Sequence, residues 1–409
     1  MDGSPPWTTL PDKVVLEIAR HIPCAFDRIH VKTICRSWRA TLLQFPYDIP
    51  PPLPGFLLMR SDADGPTFSC ISRGGGWCTH RVSLPDALRR ARYFGSYDDS
   101  WLFLSVGQRD GHMFFDLNNS QEIDLPKRAT LHLDEAGRQF DIGILPAAAT
   151  LSSSPYSFGC IGAGIFTVGI PPFHESLEYT ACRFWRVKSE VIPKVIKPEL
   201  LEPVMEDVLY RHSDESFNFL TPDEDVHVVR ASTASTPYVR VDEVASVGVL
   251  KCTSRPDYGD RRFHDQCVVA RYLVESSGEL LMVIRFAPRP LALASAFQVF
   301  QLEEFKMDDG VYQYIWDELP ALDGRMLFVG RGCSRSYDVA KYPGLEAGIY
   351  FLDDRSRPFP SIPFLDASER QYPCSDNGKW SGTPPRIRRY APDPDLSEYS
   401  PPVWIIPHR

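Results

Sequence analysis

Cysteine and histidine are the residues whose types and spacing could do covalent or metal chemistry in this chain. Cys78-Thr79-His80 places a thiol beside an imidazole, and a histidine that accepts a proton can turn a cysteine into a nucleophile. Neighbouring residues of a β-strand point to opposite faces of the sheet, however, which argues against such a pair here. We expect no catalytic role for this segment.

The ten cysteines are scattered along the chain. They occupy positions 24, 35, 70, 78, 160, 182, 252, 267, 333 and 374, and no two of them form a C-x-x-C pair. Disulfide frameworks are typical of small secreted domains, and zinc sites usually contain closely spaced cysteine pairs. The pattern predicts reduced, mostly buried thiols, with no disulfide framework, no metal site and no bound cofactor.

The motifs of common enzyme classes are missing from the sequence. It contains no G-x-S-x-G, H-E-x-x-H or G-x-x-x-x-G-K-[ST] motif, and residues 159–164 lack the spacing of a dinucleotide-binding loop. Residues 331–336, Arg-Gly-Cys-Ser-Arg-Ser, could present polar groups to a ligand, but a solvent-exposed turn is the simpler interpretation. We therefore expect a protein that is not an enzyme.

The charge of the chain argues against nucleic acid as a partner. Lys and Arg number 44 against 53 Asp and Glu, which gives a net charge of −9. Nucleic-acid binding requires clustered basic residues that contact phosphates. The acidic stretch within residues 202–225 is interpreted as an exposed loop rather than as a docking site for a basic partner.

Neither a membrane segment nor a secretory signal is expected. The most apolar window, residues 161–173, is too short to cross a bilayer. Residues 1–30 lack the basic start and apolar core of a signal peptide. We expect the protein to act in the cytoplasm or the nucleus, without a membrane partner.

Three short helices are predicted within residues 1–45. The first runs from about Pro11 to His21, because a proline suits the first helical turn and apolar residues recur at helical spacing. Pro23 ends it, Asp27 is placed to cap the second helix, and a Cys-Arg-Ser-Trp-Arg run leads into the third. Three helices of this length form only a small core, so the module needs a partner or a neighbouring domain for stability.

The same residues resemble an F-box. The Leu-Pro start, the apolar pattern of the first helix, an acidic residue and the Cys-Arg-Ser-Trp-Arg run follow the F-box order and spacing, although periodicity alone fits an N-terminal helical cap equally well. The resemblance implies docking to a Skp-type adaptor and through it to cullin and RING subunits. It assigns adaptor contacts to Leu10, Pro11, Val14, Val15, Ile18, Ile29, Val31, Ile34 and Trp38. Trp38 is also expected to pack among the three helices.

A proline-rich linker is predicted at residues 46–54. Five prolines crowd this segment, a density that favours an extended, stiff polyproline-like strut over helix or sheet. Prolines also mark domain junctions without any mechanical role, and the sequence fits both interpretations.

Residues 55–409 are predicted to be mostly β. Short apolar runs alternate with polar turns, a pattern typical of sandwiches, barrels and propellers. The length of the region favours a propeller of about seven blades, at roughly 40–50 residues per blade. The predicted strands are residues 112–117, 121–125, 268–275, 279–286, 297–304, 312–316, 326–330, 348–352 and 403–406.

The last predicted strand has a particular place in such a ring. A ring of sheets leaves strand edges exposed unless the two ends of the domain meet. We predict that residues 403–406 pair with a strand formed by residues 56–59 or their neighbours.

The second half of the chain resembles the C-terminal domain of a large plant F-box family. The resemblance is carried by residues 275–283, 297–300, 316–319 and 322–330; it is clear from about 267 to 356 and diffuse from 55 to 266. It implies a kelch-like β-propeller of the KIB type, a domain of unknown function.

Together the two resemblances imply a substrate-recognition subunit of a Skp–cullin–F-box E3 ubiquitin ligase. The helices would bind the adaptor and the β domain a protein substrate, so the chain would act by positioning rather than by catalysis. An alternative is a non-ligase F-box/propeller protein that scaffolds or inhibits a partner such as a kinase.

Overall fold

Helices occupy the first part of the chain and strands the rest. The computed structural model describes residues 6–59, 66–71, 76–82, 84–97, 100–109, 111–125, 128–132, 139–157, 159–168, 179–187, 195–196, 204–230, 247–254, 266–307, 312–356, 362–382, 386–390 and 396–406. None of the helices in this part of the chain is long and apolar enough to cross a membrane.

Three nine-residue helices form a helical module, which we define as residues 6–44. They are α1 (Asp12–Arg20), α2 (Ala25–Thr33) and α3 (Arg36–Gln44). The second helix is not capped by Asp27, which lies in its first turn. The cap is Cys24, whose sulfur accepts a hydrogen bond from the Asp27 amide at 3.4 Å.

The β domain begins with a hairpin and an adjoining strand, and five blades follow, each built from one continuous segment of chain. The first strands are β1 (Gly55–Leu58), β2 (Thr67–Ile71) and β3 (Trp77–Arg81). A short helix, α4 (Asp86–Arg89), leads to the first blade, whose strands are β4 (Arg92–Tyr97), β5 (Trp101–Val106), β6 (Gly111–Asp116) and β7 (Glu122–Leu125).

The next two blades complete the middle of the chain. One has the strand order β11-β10-β9-β8-β12, with β8 (Arg128–His132), β9 (Gln139–Leu151), β10 (Ile161–Val168), β11 (Tyr179–Arg186) and β12 (Val195–Ile196). The other comprises β13 (Asp207–Arg211), β14 (Ser216–Leu220), β15 (Val226–Arg230) and β16 (Val247–Leu250) in chain order. Residues 207–211 and 216–220 of the acidic stretch form strands, so the prediction of one exposed loop was wrong, although residues 212–215 and 221–225 lie in the turns between strands.

Two five-stranded blades follow. The order β17-β21-β20-β19-β18 joins β17 (Cys252–Ser254), β18 (Cys267–Ser276), β19 (Glu279–Ala287), β20 (Ala296–Lys306) and β21 (Tyr312–Glu318). The order β23-β22-β24-β26-β27 joins β22 (Arg325–Val329), β23 (Arg335–Asp338), β24 (Gly348–Phe351), β26 (Gly378–Ser381) and β27 (Arg386–Arg389). A separate two-stranded sheet is formed by β25 (Tyr372–Pro373), which lies between β24 and β26 in the chain, and β28 (Leu396–Ser397), which follows β27.

The last strand, β29 (Val403–Ile405), returns to the start of the β domain and closes the ring. It pairs antiparallel with β1, so that Gly55 faces Ile405 and Phe56 faces Trp404, in a sheet of order β29-β1-β2-β3. This pairing confirms the predicted closure. The prediction of about seven blades was wrong: in the part of the chain that the structure describes, consecutive segments form five blades, and the closing sheet combines the two ends of the domain.

Apolar side chains fill the spaces between neighbouring sheets. In the interface between the blade of β17–β21 and the blade of β22–β24, β26 and β27, for example, Phe297 and Phe351 lie with ring centroids 4.8 Å apart among fully buried aliphatic residues. The main contacts between neighbouring sheets join β29 with β4, β4 with β9, β9 with β13, β13 with β18, and β18 with both β23 and β22. These strands therefore lie nearest the centre of the ring.

The proline-rich segment is packed at its C-terminal end, whereas residues 46–48 are exposed. Pro46–Asp48 forms a single 3-10 turn, and Pro52, Leu53 and Pro54 are buried. The Leu53 amide donates to the carbonyl of Pro23 at 3.2 Å, and the Tyr342 hydroxyl donates to Pro51 at 2.9 Å. The linker thus joins the helical module to the β domain through fixed contacts.

Candidate functional site

The helical module leaves apolar side chains exposed after its own core is formed. Val14 is 41% exposed and Ile34 is 47% exposed, although both are aliphatic. Pro11, the residue just before α1, is also exposed. Three of the predicted adaptor-binding residues are therefore available to a partner in this structure.

Three other predicted adaptor contacts lie inside the module. Val15, Val31 and Trp38 are buried in the core between the three helices, so their side chains offer no surface to an adaptor. The indole N–H of Trp38 donates to the carbonyl of Trp7 at 2.8 Å, which fixes the turn before α1. Half-buried positions at the edge of this core are occupied by Leu10, Ile18 and Ile29.

A cavity of about 410 Å³ lies at the centre of the ring. It is bounded by the innermost strands β4, β9, β22 and β29, and its wall combines apolar residues with the charged Arg331, Asp353 and Asp354. This volume falls in the range of ligand-binding clefts. The ring centre therefore offers a concave surface with a few polar groups.

A buried arginine organises one side of this cavity. The Arg285 guanidinium is 1% exposed and contacts the carboxylates of Asp354, at 2.6 Å, and Asp376. It also donates to the carbonyl of Leu352 at 2.8 Å. Burial by itself would lower the pKa of Arg285. The neighbouring acidic groups, with the Asp354 carboxylate first among them, have the larger effect and raise that pKa. The pairs join three segments that are distant in sequence.

The polar segment 331–336 is not the solvent-exposed turn that the sequence indicated. Residues 332–334 are buried, and the amide of Gly332 donates to the carboxylate of Asp207 at 2.7 Å. Asp207 also accepts from the amides of Leu273 and Val208, each at 2.8 Å. Its burial raises the pKa of Asp207 to about 7, against the lowering effect of these hydrogen bonds. The segment is a structural turn that links two blades at the cavity.

The turn requires glycine at position 332, and two alanine variants test this. Gly332 has φ +70°, and a Cβ atom there would lie 2.3 Å from the carbonyl oxygen of Ala149. Gly278 has a similar φ, +83°, but open space around it. We expect Gly332→Ala to lower the free energy of unfolding by about 3 kcal/mol and Gly278→Ala by about 1 kcal/mol, as measured by urea denaturation. Equal losses would contradict the steric explanation.

Three cysteines and one histidine meet where the helical module contacts the first strands of the β domain. The candidate ligand atoms of Cys24, Cys70, Cys78 and His80 all lie within 4.8 Å of one another. The Nε2 atom of His80 is 3.2 Å from the Cys24 sulfur and 3.6 Å from the Cys70 sulfur, and the sulfurs of Cys70 and Cys78 are 2.8 Å apart. Hydrogen bonds from neighbouring thiols lower the pKa of Cys78.

Sequence reasoning missed this cluster for two reasons. Cys24 is far from the other members along the chain, so no compact motif marks the set. In addition, Cys78 and His80 are two residues apart and share one face of β3, whereas only Thr79 points to the other face. The expectation that the Cys78 and His80 side chains point to opposite faces was therefore wrong.

The mostly antiparallel sheets form a ring around a central cavity, and the pairing of the last strand with the first closes it. This arrangement defines a β-propeller, a fold suited to protein binding. The family model described as the KIB1-4 beta-propeller matches residues 68–376. The chain belongs to this family, as the resemblance of its second half implied. No curated protein matches it.

Proposed function

We propose that this chain is the substrate-recognition subunit of a Skp–cullin–F-box E3 ubiquitin ligase. Its helical module binds a Skp-type adaptor, and its propeller binds a protein substrate. The chain catalyses no reaction; it raises the concentration of the substrate near the enzyme that carries ubiquitin. Such a subunit acts in the cytoplasm or the nucleus, with no nucleic acid or membrane as a partner.

The observation that carries the proposal is the exposed apolar surface of the helical module. Val14 and Ile34 remain exposed although a six-residue core of this module is already packed. Exposed aliphatic side chains gain free energy when a partner removes them from water, at roughly 25 cal/mol per Å². They coincide with positions to which the F-box resemblance assigns adaptor contacts.

The packed junction between the helical module and the propeller supports a positioning role. Arg28 of α2 donates to the carbonyls of Ile22 and Pro50, and it thereby fastens the helix to the linker. Phe26 packs against Phe68 of β2 with ring centroids 5.2 Å apart. A substrate on the propeller would therefore be held at a defined distance from the adaptor.

The Val14→Asp/Ile34→Asp double variant is expected to lose co-purification with a Skp-type adaptor by at least tenfold. The two carboxylates would be buried without partners in the complex, at a cost of several kcal/mol. Because both side chains are exposed in the free chain, the variant should keep its far-ultraviolet circular dichroism spectrum and its melting temperature.

Val249→Asp is the matched control, because Val249 is a 40% exposed valine on the propeller. It should bind the adaptor like the unmodified chain. Normal adaptor binding by the double variant would contradict the docking assignment. If a substrate found by affinity purification does not accumulate on proteasome inhibition, the alternative function of scaffolding or inhibiting a partner, such as a kinase, takes its place.

A further inference from the structure

A metal site is indicated at the junction between the helical module and the β domain. The hairpin of β2 and β3 supplies three side chains: Cys70 lies directly opposite Cys78 in the antiparallel ladder, and His80 is two residues further along β3. The fourth, Cys24, comes from the start of α2. Cys24 and Cys70 are each 1% exposed.

We propose that Cys24, Cys70, Cys78 and His80 bind one structural zinc ion. Three thiolates and one imidazole form a donor set typical of tetrahedral structural zinc. Zinc lies about 2.3 Å from thiolate sulfur and about 2.0 Å from imidazole nitrogen, which separates the ligand atoms by roughly 3.5–3.8 Å. The four ligand atoms lie within 4.8 Å of one another, so small side-chain rotations bring them onto one tetrahedron.

Zinc accounts for this cluster better than a disulfide does. A bond between Cys70 and Cys78 would use two of the sulfurs, but it would not explain why the Nε2 atom of His80 lies close to the sulfurs of both Cys24 and Cys70. Soft thiolate ligands with an imidazole select zinc over magnesium or calcium, which prefer oxygen ligands.

The surroundings of the cluster fit a ligand role as well. Phe26 stacks on the His80 ring with centroids 4.7 Å apart and an interplanar angle of 17°, which holds the ring with Nε2 towards the sulfurs. The amide of Asp27 donates to the Cys24 sulfur, as second-shell amides do to metal-bound thiolates. Cysteine is also an unusual helix N-cap, where serine, threonine, aspartate and asparagine prevail.

The zinc ion fixes the helical module to the propeller. One ligand belongs to the helices and three belong to the closing sheet, so the bound ion connects segments that lie on either side of the proline-rich linker. Binding free energy at such a site adds to folding free energy, since the unfolded chain has no preformed site. The orientation of the module would thus depend on the metal.

The experiment measures metal in the full chain, purified under reducing conditions. Elemental analysis should give about one zinc ion per chain. Replacement of zinc by Co²⁺ should produce the absorption bands of tetrahedral cobalt and sulfur-to-cobalt charge transfer. A strong chelator should release the zinc, lower the melting temperature by on the order of 5 °C and make Cys24, Cys70 and Cys78 reactive to alkylation.

Matched variants locate the site. Cys78→Ser should lose most of the zinc, whereas Cys35→Ser and Cys267→Ser should retain it, because neither Cys35 nor Cys267 belongs to the cluster. The comparison is matched because all three cysteines are half-buried. The cobalt spectrum of the unmodified chain tests the proposal even where Cys78→Ser does not fold. Two results would overturn it: a chain without zinc or cobalt in which the three thiols are freely alkylated, or a disulfide between Cys70 and Cys78 in metal-free protein.

Discussion

Replacing Arg285 with methionine is expected to lower the free energy of unfolding by about 3–5 kcal/mol. The side chain is almost fully buried and is the shared partner of Asp354 and Asp376. Methionine has a similar length and no charge. The substitution therefore removes one of the positively charged partners of the Asp376 carboxylate, which is fully buried. The loss comes from an uncompensated buried charge rather than from lost volume.

The consequences extend beyond one pair because the network joins distant segments. Asp376 also accepts from the amide of Ala294 at 2.7 Å and from Arg389 at 3.1 Å. Its own amide donates to Asp353 at 2.8 Å. Removal of Arg285 therefore weakens the contact between the last two blades, which contain β19 and β26, as well as the wall of the cavity.

Urea denaturation followed by tryptophan fluorescence measures the effect. Arg388→Met is the control, because Arg388 is exposed on β27 and should change stability by less than about 1 kcal/mol. Asp376→Asn should also destabilise, and the double variant with Arg285→Met should lose less than the sum of the two single variants. If Arg285→Met and Arg388→Met have equal stability, the buried network does not hold these blades together.

Trp404→Ala is expected to lower the free energy of unfolding by about 3–5 kcal/mol, and the melting temperature with it. Trp404 is 1% exposed and is the largest residue of the strand that closes the ring. Its ring meets Phe328 edge-on at 5.1 Å between centroids, and its indole N–H donates to the carbonyl of Val329 at 2.8 Å. Alanine would leave a cavity and an unpaired carbonyl at the seam.

A graded series separates packing from pairing. Trp404→Phe keeps much of the apolar volume but loses the hydrogen bond, so it should cost about 1–3 kcal/mol. Deletion of residues 400–409 removes all of β29 and should lower the melting temperature by several degrees at least, about as much as Trp404→Ala or more. Tyr47→Ala is the control, because Tyr47 is 98% exposed. Unchanged melting of the deletion variant would show that the ring does not depend on this strand.

Local features of the β domain were predictable because local residues determine them. The turn Ser276-Ser277-Gly278 between two apolar runs predicts a hairpin, and β18 and β19 are joined there by Ser277 and Gly278, both at positive φ. The pairing of residues 403–406 with the start of the domain also followed from the sequence, because a ring has few other ways to cover its edges.

The number of blades could not be counted in the same way. Strands of one sheet come from segments of unequal length, such as the thirteen-residue β9 and the two-residue β12 of one blade. Without a regular repeat, dividing the length of the domain by an average blade gives too many blades.

The sequence by itself determined the order of helical module, linker and propeller, the hairpins, and the apolar faces, because propensity and periodicity act over a few residues. Only the tertiary structure decided which apolar residues of the helices stay exposed and which form the core, so that Val14 is available to a partner and Val15 is not. The tertiary structure also brought Cys24 to Cys70, Cys78 and His80, and Arg285 to Asp376. Such contacts join segments that no local pattern relates. They stabilise the protein only after the chain has folded and brought those segments together.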